Sequence, residues 1–173
     1  PLVEEVIPNV DIPVIAAGGF SDGRGLAAAL VMGACGIQMG TRFLGCVECE
    51  IHPDVKRALV SASSTDIVVT GTNRKSVGAA RGLNGSLAQK YFELEDLGGS
   101  DQDYVDLFTG TNFKGLKEGD LENGFIMVGE AVSAIRHIST AAEIVNAVIK
   151  EAEQCISSMV AQYNRHIKLQ SST

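Results

Sequence analysis

The hydrophobic and polar positions of the first 45 residues predict a strand, a helix and a second strand. Residues 14–17 are wholly apolar, as in a strand that is buried on both faces of a parallel sheet. Apolar residues at helical spacing fill 26–31, between potential N-cap residues at 21–22 and Gly33, a typical C-cap glycine. A second short strand is predicted over 35–39. Two parallel strands joined by one helix form a right-handed βαβ unit.

Beyond residue 45 the pattern changes to helices separated by glycine-rich breaks. Two sequences resemble capping boxes, Ser100 to Asp103 and Thr140 to Glu143. The second opens the longest predicted helix, whose continuous apolar stripe indicates core or interface. The predicted elements are a helix over 53–62, a strand over 67–70, a loop or interrupted helix over 73–85, a helix over 83–97, a short helix after residue 100, a glycine-punctuated loop over 117–130 and a helix over 141–163.

Both strands of the predicted βαβ unit end in glycine-containing turns, at 17–19 and at 39–41. A glycine at the end of a strand lets bare backbone approach an anion, and the exposed N–H groups can then bind phosphate. In a (β/α)8 barrel the loops after the last two strands form such a site. The alternative is that both turns need glycine for backbone reasons alone, and the spacing leaves these two readings equally open.

Two longer stretches carry a resemblance to known enzymes. AAGGFSDGRGLAAALVMGACGIQMGTRFL, residues 16–44, closely resembles the end of the FMN-binding barrel in the flavin-dependent enoyl-acyl-carrier-protein reductases of type II. The nitronate monooxygenases (2-nitropropane dioxygenase-like) share that fold. GDLENGFIMVGE, residues 119–130, resembles the C-terminal motif of the reductase branch in particular. The resemblance extends from about residue 11 to about residue 160.

The resemblance implies an α/β fold, namely the C-terminal part of an FMN-binding TIM (β/α)8 barrel with a small α+β substrate-binding cap and a C-terminal helix. A closed barrel needs eight strands, and this chain has one convincing βαβ unit. We therefore expect a missing N-terminal half of the barrel, although a free-standing α+β domain is an alternative. The expected divisions are the last two βα units over 1–45, the cap over 46–116, and a flavin-lining loop with the C-terminal helix over 117–173.

The function implied by the resemblance is NADH- or NADPH-dependent reduction of trans-2-enoyl-acyl-carrier-protein in fatty acid synthesis, with FMN as cofactor. The alternative within the family is a nitronate monooxygenase, which uses FMN and oxygen to denitrify nitroalkanes. An alternative of another class is a non-catalytic phosphate-binding or scaffold domain. The expected partners are an acyl-carrier-protein-linked enoyl substrate and the missing half of the barrel. A homodimer through the long helix is compatible with its apolar stripe.

The resemblance also implies a set of residues that bind FMN. The backbone of the two glycine turns would hold the phosphate, with the Thr41 hydroxyl as an additional donor. The catalytic histidine of the family lies in a glycine-rich segment on an earlier strand that has no match here, so we assign no catalytic acid or base to this chain. The implied cofactor-binding residues are Ala17, Gly18, Gly19, Gln38, Met39, Gly40, Thr41, Met127 and Gly129.

Two charged residues next to these positions leave alternatives open. Arg42 follows Thr41, and a guanidinium beside a phosphate is chemically reasonable. Strand alternation would point Arg42 away from Thr41, however, so a salt bridge outside the site is an equally good interpretation. Glu130 stands where the family usually has glutamine. Because a carboxylate near a reduced, anionic flavin is unfavourable, Glu130 must be turned away, partnered or protonated.

Cys46, Cys49 and His52 invite a redox or metal interpretation. A single CxxC without a second pair is a weak signal, so we favour two ordinary thiols and a histidine at the start of a helix, and no metal site.

Within an acidic chain, the basic residues of the predicted cap include Arg74, Lys75, Arg81 and Lys90. A solvated surface is the simpler interpretation. The functional one is that a basic rim attracts the acidic acyl carrier protein.

Composition excludes some classes of partner. The net charge of −7 argues against nucleic acid or an anionic membrane as the main partner. Glycine and charged residues interrupt every apolar stretch, so no transmembrane segment is predicted. The four cysteines do not form a disulfide framework, which makes a reducing, cytoplasmic location the expectation.

Overall fold

The computed structural model describes residues 2–72 and 78–170, with side chains described up to residue 165. The chain separates into two compact units. The first contains Pro1–Met39 and Thr140–Thr173, and the second contains Gly40–Ser139. The functional divisions at residues 45 and 116 expected from the sequence remain a prediction. Within the described residues, no helix is long and apolar enough to cross a membrane.

The first unit is built around the predicted βαβ motif. Its strands pair in parallel, with Ile15 opposite Gly36 and Ala17 opposite Gln38, so both strands end at the same edge of their sheet. Its elements are helix α1 (Leu2–Val6), a 3-10 turn (Ile7–Asn9), strand β1 (Ile15–Ala17), helix α2 (Gly23–Val31), strand β2 (Gly36–Gln38) and helix α8 (Ala141–Gln170).

The boundaries of α2 follow the predicted caps. The side chain of Asp22 accepts a hydrogen bond from the Gly25 N–H at 3.0 Å, which satisfies one of the free donors at the helix start. Gly33 follows the helix with φ of +95°, a left-handed conformation that glycine adopts without strain. The Thr140–Glu143 capping box at the start of α8 is also confirmed, with the Thr140 N–H donating to Glu143 at 2.7 Å.

Burial of β1 differs from the prediction. Ala16 is only 2% exposed and packs with Ala29 and Ala34, but Ile15 is 54% exposed. The expectation of burial on both faces is therefore wrong for this chain, because Ile15 and Ala17, which share the other face of β1, are both exposed.

Helices α2 and α8 approach each other closely at Gly23. A Cβ at this position would overlap the backbone of Val148 and Ala152 and lie 2.5 Å from the Glu151 Cβ. The Gly23 N–H also donates to the Glu151 carboxylate at 2.8 Å. The apolar stripe of α8 is only partly used in this packing. Its buried members are Ile144, Val148 and Ala152, and its exposed members include Val145, Ile149, Met159, Val160 and Tyr163.

The second unit combines short helices with a small antiparallel sheet. The predicted strand at 67–70, the helix beginning at Pro53 and the Ser100–Asp103 capping box are all confirmed. Its elements are α3 (Thr41–Leu44), α4 (Pro53–Ser61), a 3-10 turn (Ser64–Asp66), β3 (Ile67–Thr70), β4 (Ala80–Leu83), α5 (Ser86–Asp96), α6 (Asp101–Phe108), α7 (Thr111–Phe113), a π-helical turn (Lys114–Glu118) and a 3-10 turn (Glu130–Ala134).

Strand β4 was not predicted. Residues 80–83 were expected in a loop or interrupted helix, but they pair antiparallel with β3, with Thr70 opposite Ala80. On its other side β4 pairs with the extended segment that contains Met127, because the Val128 N–H donates to the Arg81 carbonyl at 3.2 Å. Residues 73–77 of the expected loop lie outside the described residues.

Two hydrophobic clusters stabilise the second unit. One packs α4 against residues 126–135, and its centre includes Val55, Leu59 and Val132, none of which is exposed. The other surrounds Phe125 and Leu87. Together they hold the segment 125–128 in place, because Phe125 belongs to one cluster and Ile126 and Val128 to the other.

Candidate functional site

The first glycine turn follows β1 directly. Gly18 has φ of +98° and Gly19 has φ of +78°, a region of backbone conformation that side chains strongly disfavour. No other atom lies within 4 Å of a Cβ built at either position. The backbone alone thus explains both glycines, and it leaves the turn open to a ligand.

The end of β2 presents the other predicted residues of the first unit. Gln38 lies opposite Ala17 across the pair of strands, and both are exposed, whereas Met39 is half-buried. The first unit therefore brings together Ala17, Gly18, Gly19, Gln38 and Met39 at the carboxyl ends of two parallel strands, where ligands bind in α/β sheets.

Gly40 differs from Gly18 and Gly19 in its backbone. It precedes α3 with φ of −93° and ψ of −69°, which any residue adopts, and a Cβ built there meets no atom within 4 Å. Neither the backbone nor a neighbouring atom therefore requires glycine at this position. A close ligand, by contrast, would require it, since a Cβ would fill the space in front of the exposed backbone.

Thr41 begins α3, and this corrects the expectation of a simple turn at 39–41. Its Oγ1 accepts a hydrogen bond from the Gly129 N–H at 2.9 Å. A hydroxyl that accepts one bond still has its proton to donate, so Thr41 keeps the donor that a phosphate would use. The second unit thus joins Thr41 to Gly129, two residues of the predicted set that are 88 positions apart.

Arg42 lies in α3, so the argument from strand alternation was wrong. Its Nη1 is buried and has no hydrogen-bond partner among the described residues. Burial lowers the pKa of Arg42 below its ordinary value. A partly desolvated guanidinium without a described counterion favours binding of an anion, because the anion would compensate its charge.

Glu130 is partnered in this structure. Its carboxylate lies 4.0 Å from Nε of Arg81, and both side chains are more than half exposed. Of the three alternatives stated for Glu130, the structure therefore shows the second, a carboxylate that is partnered by the positive charge of Arg81. The pair is exposed, so its contribution to stability is small.

Cys46, Cys49 and His52 are not arranged as metal ligands. Among the described residues, no three His, Cys, Asp or Glu side chains are placed so that they could hold a metal ion. Burial, and then the neighbouring Cys46, raise the pKa of Cys49, which disfavours the thiolate that redox or metal chemistry needs. His52 caps α4 instead, with Nδ1 accepting from the Asp54 N–H at 3.2 Å. Its position at the start of a helix is as predicted.

Of the predicted basic residues of the cap, Arg81 and Lys90 are exposed. Lys90 Nζ donates to Asn123 at 3.2 Å. Arg74 and Lys75 lie outside the described residues.

A cavity in the second unit was missed by the sequence analysis. It has a volume of about 190 Å³ and lies beside Met127, one of the predicted flavin-lining residues. Its walls come from β3, β4, α6, α7 and the segment around Phe125, elements that are far apart in sequence. No local pattern could have revealed it, because β4 itself was not predicted. The side chains that line it include Thr70, Ala80, Phe108, Thr111, Asn112, Phe125 and Met127.

The chain resembles known proteins both in sequence and in structure. Residues 1–151 match the model of the family described as nitronate monooxygenase. The chain is 33% identical over 159 residues to a probable nitronate monooxygenase of Staphylococcus saprophyticus, an alignment that covers 90% of this chain and 43% of the relative.

Two further matches involve differently named proteins. The chain is 30% identical to a (3aS,4S,5R,7aS)-5-hydroxy-7a-methyl-1-oxo-octahydro-1H-indene-4-carboxyl-CoA dehydrogenase of Rhodococcus jostii, covering 92% of this chain and 55% of that one. It superposes on FabK from Thermotoga maritima with a TM-score of 0.86 and 39% identity, covering 93% of this chain and 50% of FabK. The chain thus spans about half the length of the proteins it matches. The expected fold class, part of an α/β barrel, is confirmed.

Proposed function

The chain belongs to the nitronate monooxygenase family, and we propose that it is part of an FMN-dependent reductase of trans-2-enoyl thioesters. The thioester would be carried by acyl carrier protein, and NADH or NADPH would be the reductant. In this proposal the chain contributes the phosphate end of the flavin site and a substrate-binding region. The proton donor lies outside the chain, since none of its three histidines matches the catalytic histidine of the resembled family.

The flavin proposal rests mainly on the backbone conformation and the open surroundings of Gly40. Gly18 and Gly19 are explained by their positive φ, but Gly40 has ordinary backbone angles and open space at its Cβ. A phosphate oxygen close to the Gly40 backbone would explain why a side chain is absent there. Backbone N–H groups at the start of α3 and in the Gly18–Gly19 turn would be the donors.

Other residues of the set would complete the binding of FMN. Thr41 would donate its hydroxyl proton to the phosphate while Gly129 holds its oxygen in place. Arg42, whose Nη1 lacks a described partner, would balance the phosphate charge. Bound FMN would supply the hydride-transfer chemistry of the proposed reaction. The residues of this chain would bind and orient it, with Met127 and Gly129 lining one side.

The preference for a thioester reductase rests on three similarities. The chain is 39% identical to FabK over 93% of its length, and its LENGFIMVG stretch resembles the reductase branch. The Rhodococcus jostii relative is named as a dehydrogenase of a carboxyl-CoA, which is itself a thioester. A second candidate, nitronate monooxygenase activity, is favoured by the family description and by the Staphylococcus saprophyticus relative.

The test is a flavin spectrum followed by two assays. The protein is purified as its gene encodes it, with any residues that precede or follow this chain, and titrated with FMN. We expect bound flavin, NADH- or NADPH-dependent loss of the enoyl absorbance of a trans-2-enoyl thioester, and little oxygen uptake with a nitronate. The reverse pattern in the two assays would replace the reductase by the second candidate. A protein that binds no FMN would overturn both and leave a non-catalytic domain.

A further inference from the structure

The cavity beside Met127 is walled mainly by apolar groups. The rings of Phe108 and Phe125 meet edge to face with their centres 5.3 Å apart. Ala80 contributes from β4, and the side chain of Met127 is half-exposed beside them. All of these residues belong to the second unit.

The polar groups of the wall are mostly satisfied within the protein. The hydroxyl of Thr111 donates to the Phe108 carbonyl at 2.8 Å, and that of Thr70 donates to the Ala80 carbonyl at 3.4 Å. Among the described lining residues none is charged. A small anion such as a nitronate would find no cation in this wall, whereas a hydrocarbon would leave both threonine hydroxyls bonded to their backbone carbonyls.

The backbone places the cavity on the same side as the proposed flavin contacts. Residues 127–129 are extended, because Val128 donates to Arg81 of β4 and Gly129 has φ of −102° and ψ of −179°. Side chains at alternate positions of an extended segment share a face. Val128 is buried in the core, so Met127 and Gly129 face the other way, and Gly129 is where Thr41 makes its hydrogen bond.

The size of the cavity matches a short hydrocarbon chain. Its volume of about 190 Å³ corresponds to about six water-sized groups, given roughly 30 Å³ for each water. A methylene group is of similar size.

We propose that this cavity binds the apolar end of the acyl chain, and that Ala80 and Phe108 set the chain length that is accepted. The proposal rests on the proposed thioester reductase function, of which it names the specificity determinant. Ala80 forms part of the wall on β4, so that the size of its side chain fixes how much of the acyl chain fits. Phe108 closes the cavity from α6.

The test measures binding of non-reactive, saturated S-acyl-pantetheines with four to fourteen carbons to the purified protein by calorimetry. We expect affinity to rise by up to about fourfold for each of the first six or so carbons added to the four-carbon ligand, since each buried methylene contributes about 0.8 kcal/mol. Affinity should then stop rising. The same series, as unsaturated thioesters, is followed by kcat/KM.

Two substitutions at one position should shift this limit in opposite directions. Ala80→Val adds two carbons to the wall and should lower the ten-carbon to four-carbon affinity ratio about 16-fold, the loss expected for two displaced methylenes. Ala80→Gly should allow about one more carbon. Ala58→Val is the matched control, because it adds the same atoms beside a different cavity of the second unit. Should Ala80→Val fail to fold in a thermal melt, Ala80→Gly alone decides.

Equal affinity of the wild-type protein for the four- and ten-carbon ligands would overturn the proposal. The proposal would also be overturned if Ala80→Val and Ala80→Gly shifted the chain-length limit no more than the control Ala58→Val does. Either result could occur in a protein that still binds FMN and reduces enoyl thioesters. Conversely, the predicted dependence on chain length without enoyl reduction would overturn the proposed function and leave the apolar cavity as a lipid-binding site.

Discussion

Replacing Gly40 by alanine separates a requirement of the fold from a requirement of the ligand. The backbone at Gly40, with φ of −93° and ψ of −69°, is ordinary right-handed helical, and nothing lies within 4 Å of the added Cβ. The folded protein should therefore accept alanine without strain. If a phosphate binds against this backbone, the same methyl group would occupy part of the space that the phosphate needs.

The two effects have opposite signs. Glycine-to-alanine replacement at a compatible position stabilises a protein by about 0.4–1 kcal/mol, chiefly by restricting the unfolded chain. A lost hydrogen bond to a charged group costs about 1.5–3 kcal/mol, which weakens binding about 10- to 150-fold. Gly40→Ala should thus raise or preserve the melting temperature without FMN, and raise the Kd for FMN by that factor.

The assay combines thermal melts of the flavin-free protein with a titration that follows quenching of FMN fluorescence. Gly85→Ala is the matched control, because Gly85 also precedes a helix with negative φ and its Cβ would lie at an ordinary 3.5 Å from the nearest atom. We expect it to leave FMN affinity unchanged. If Gly40→Ala binds FMN as the wild type does, or melts much earlier without FMN, the argument from the absent side chain is wrong.

Three further predictions test other parts of the structure. Thr41→Val removes the oxygen that accepts the Gly129 N–H, so the free energy of unfolding should fall by about 1–3 kcal/mol and FMN titration should show weaker binding. Thr41→Ser keeps the hydroxyl and should retain most of the stability and most of the FMN affinity. Gly23→Ala would force a Cβ into the backbone of α8 and should lower the free energy of unfolding by about 1–3 kcal/mol in urea, while Gly36→Ala in the same unit should not. If the exposed cation of Lys90 attracts the acidic carrier, Lys90→Ala should raise KM for an acyl-carrier-protein substrate but not for the matching pantetheine thioester. Equal changes in KM for the two substrates would exclude that role.

The parts of the fold that sequence predicted correctly are those with local causes. The βαβ unit follows from apolar spacing, and its helix ends follow from Asp22 and Gly33, whose roles involve neighbours within a few residues. Both capping boxes formed for the same reason. Signals of this kind act before any tertiary contact and so survive into the structure.

The errors have tertiary causes. Strand β4 reads Ala-Arg-Gly-Leu and has no alternation of apolar and polar residues. Its Gly82 is buried. A Cβ at this position would lie 2.6 Å from the Phe125 ring, so the need for glycine comes from a contact between segments about 40 residues apart. Helix α3 was missed because Gly40 offers no capping side chain. The hydrogen bond from Gly129 to Thr41, which spans 88 positions, was equally inaccessible.

The candidate site shows how the structure separates residues that look equivalent in the sequence. The resemblance implied the same role for Gly18, Gly19 and Gly40, whereas the spacing alone left backbone geometry as an equally good reason for each. The structure gives Gly18 and Gly19 a positive φ, which any tight turn could require, so these two residues do not discriminate between a ligand and a turn. Gly40 has neither a positive φ nor a crowding neighbour. The case for a bound phosphate therefore depends on Gly40 and on the unused hydroxyl proton of Thr41, rather than on the more conspicuous pair of glycines.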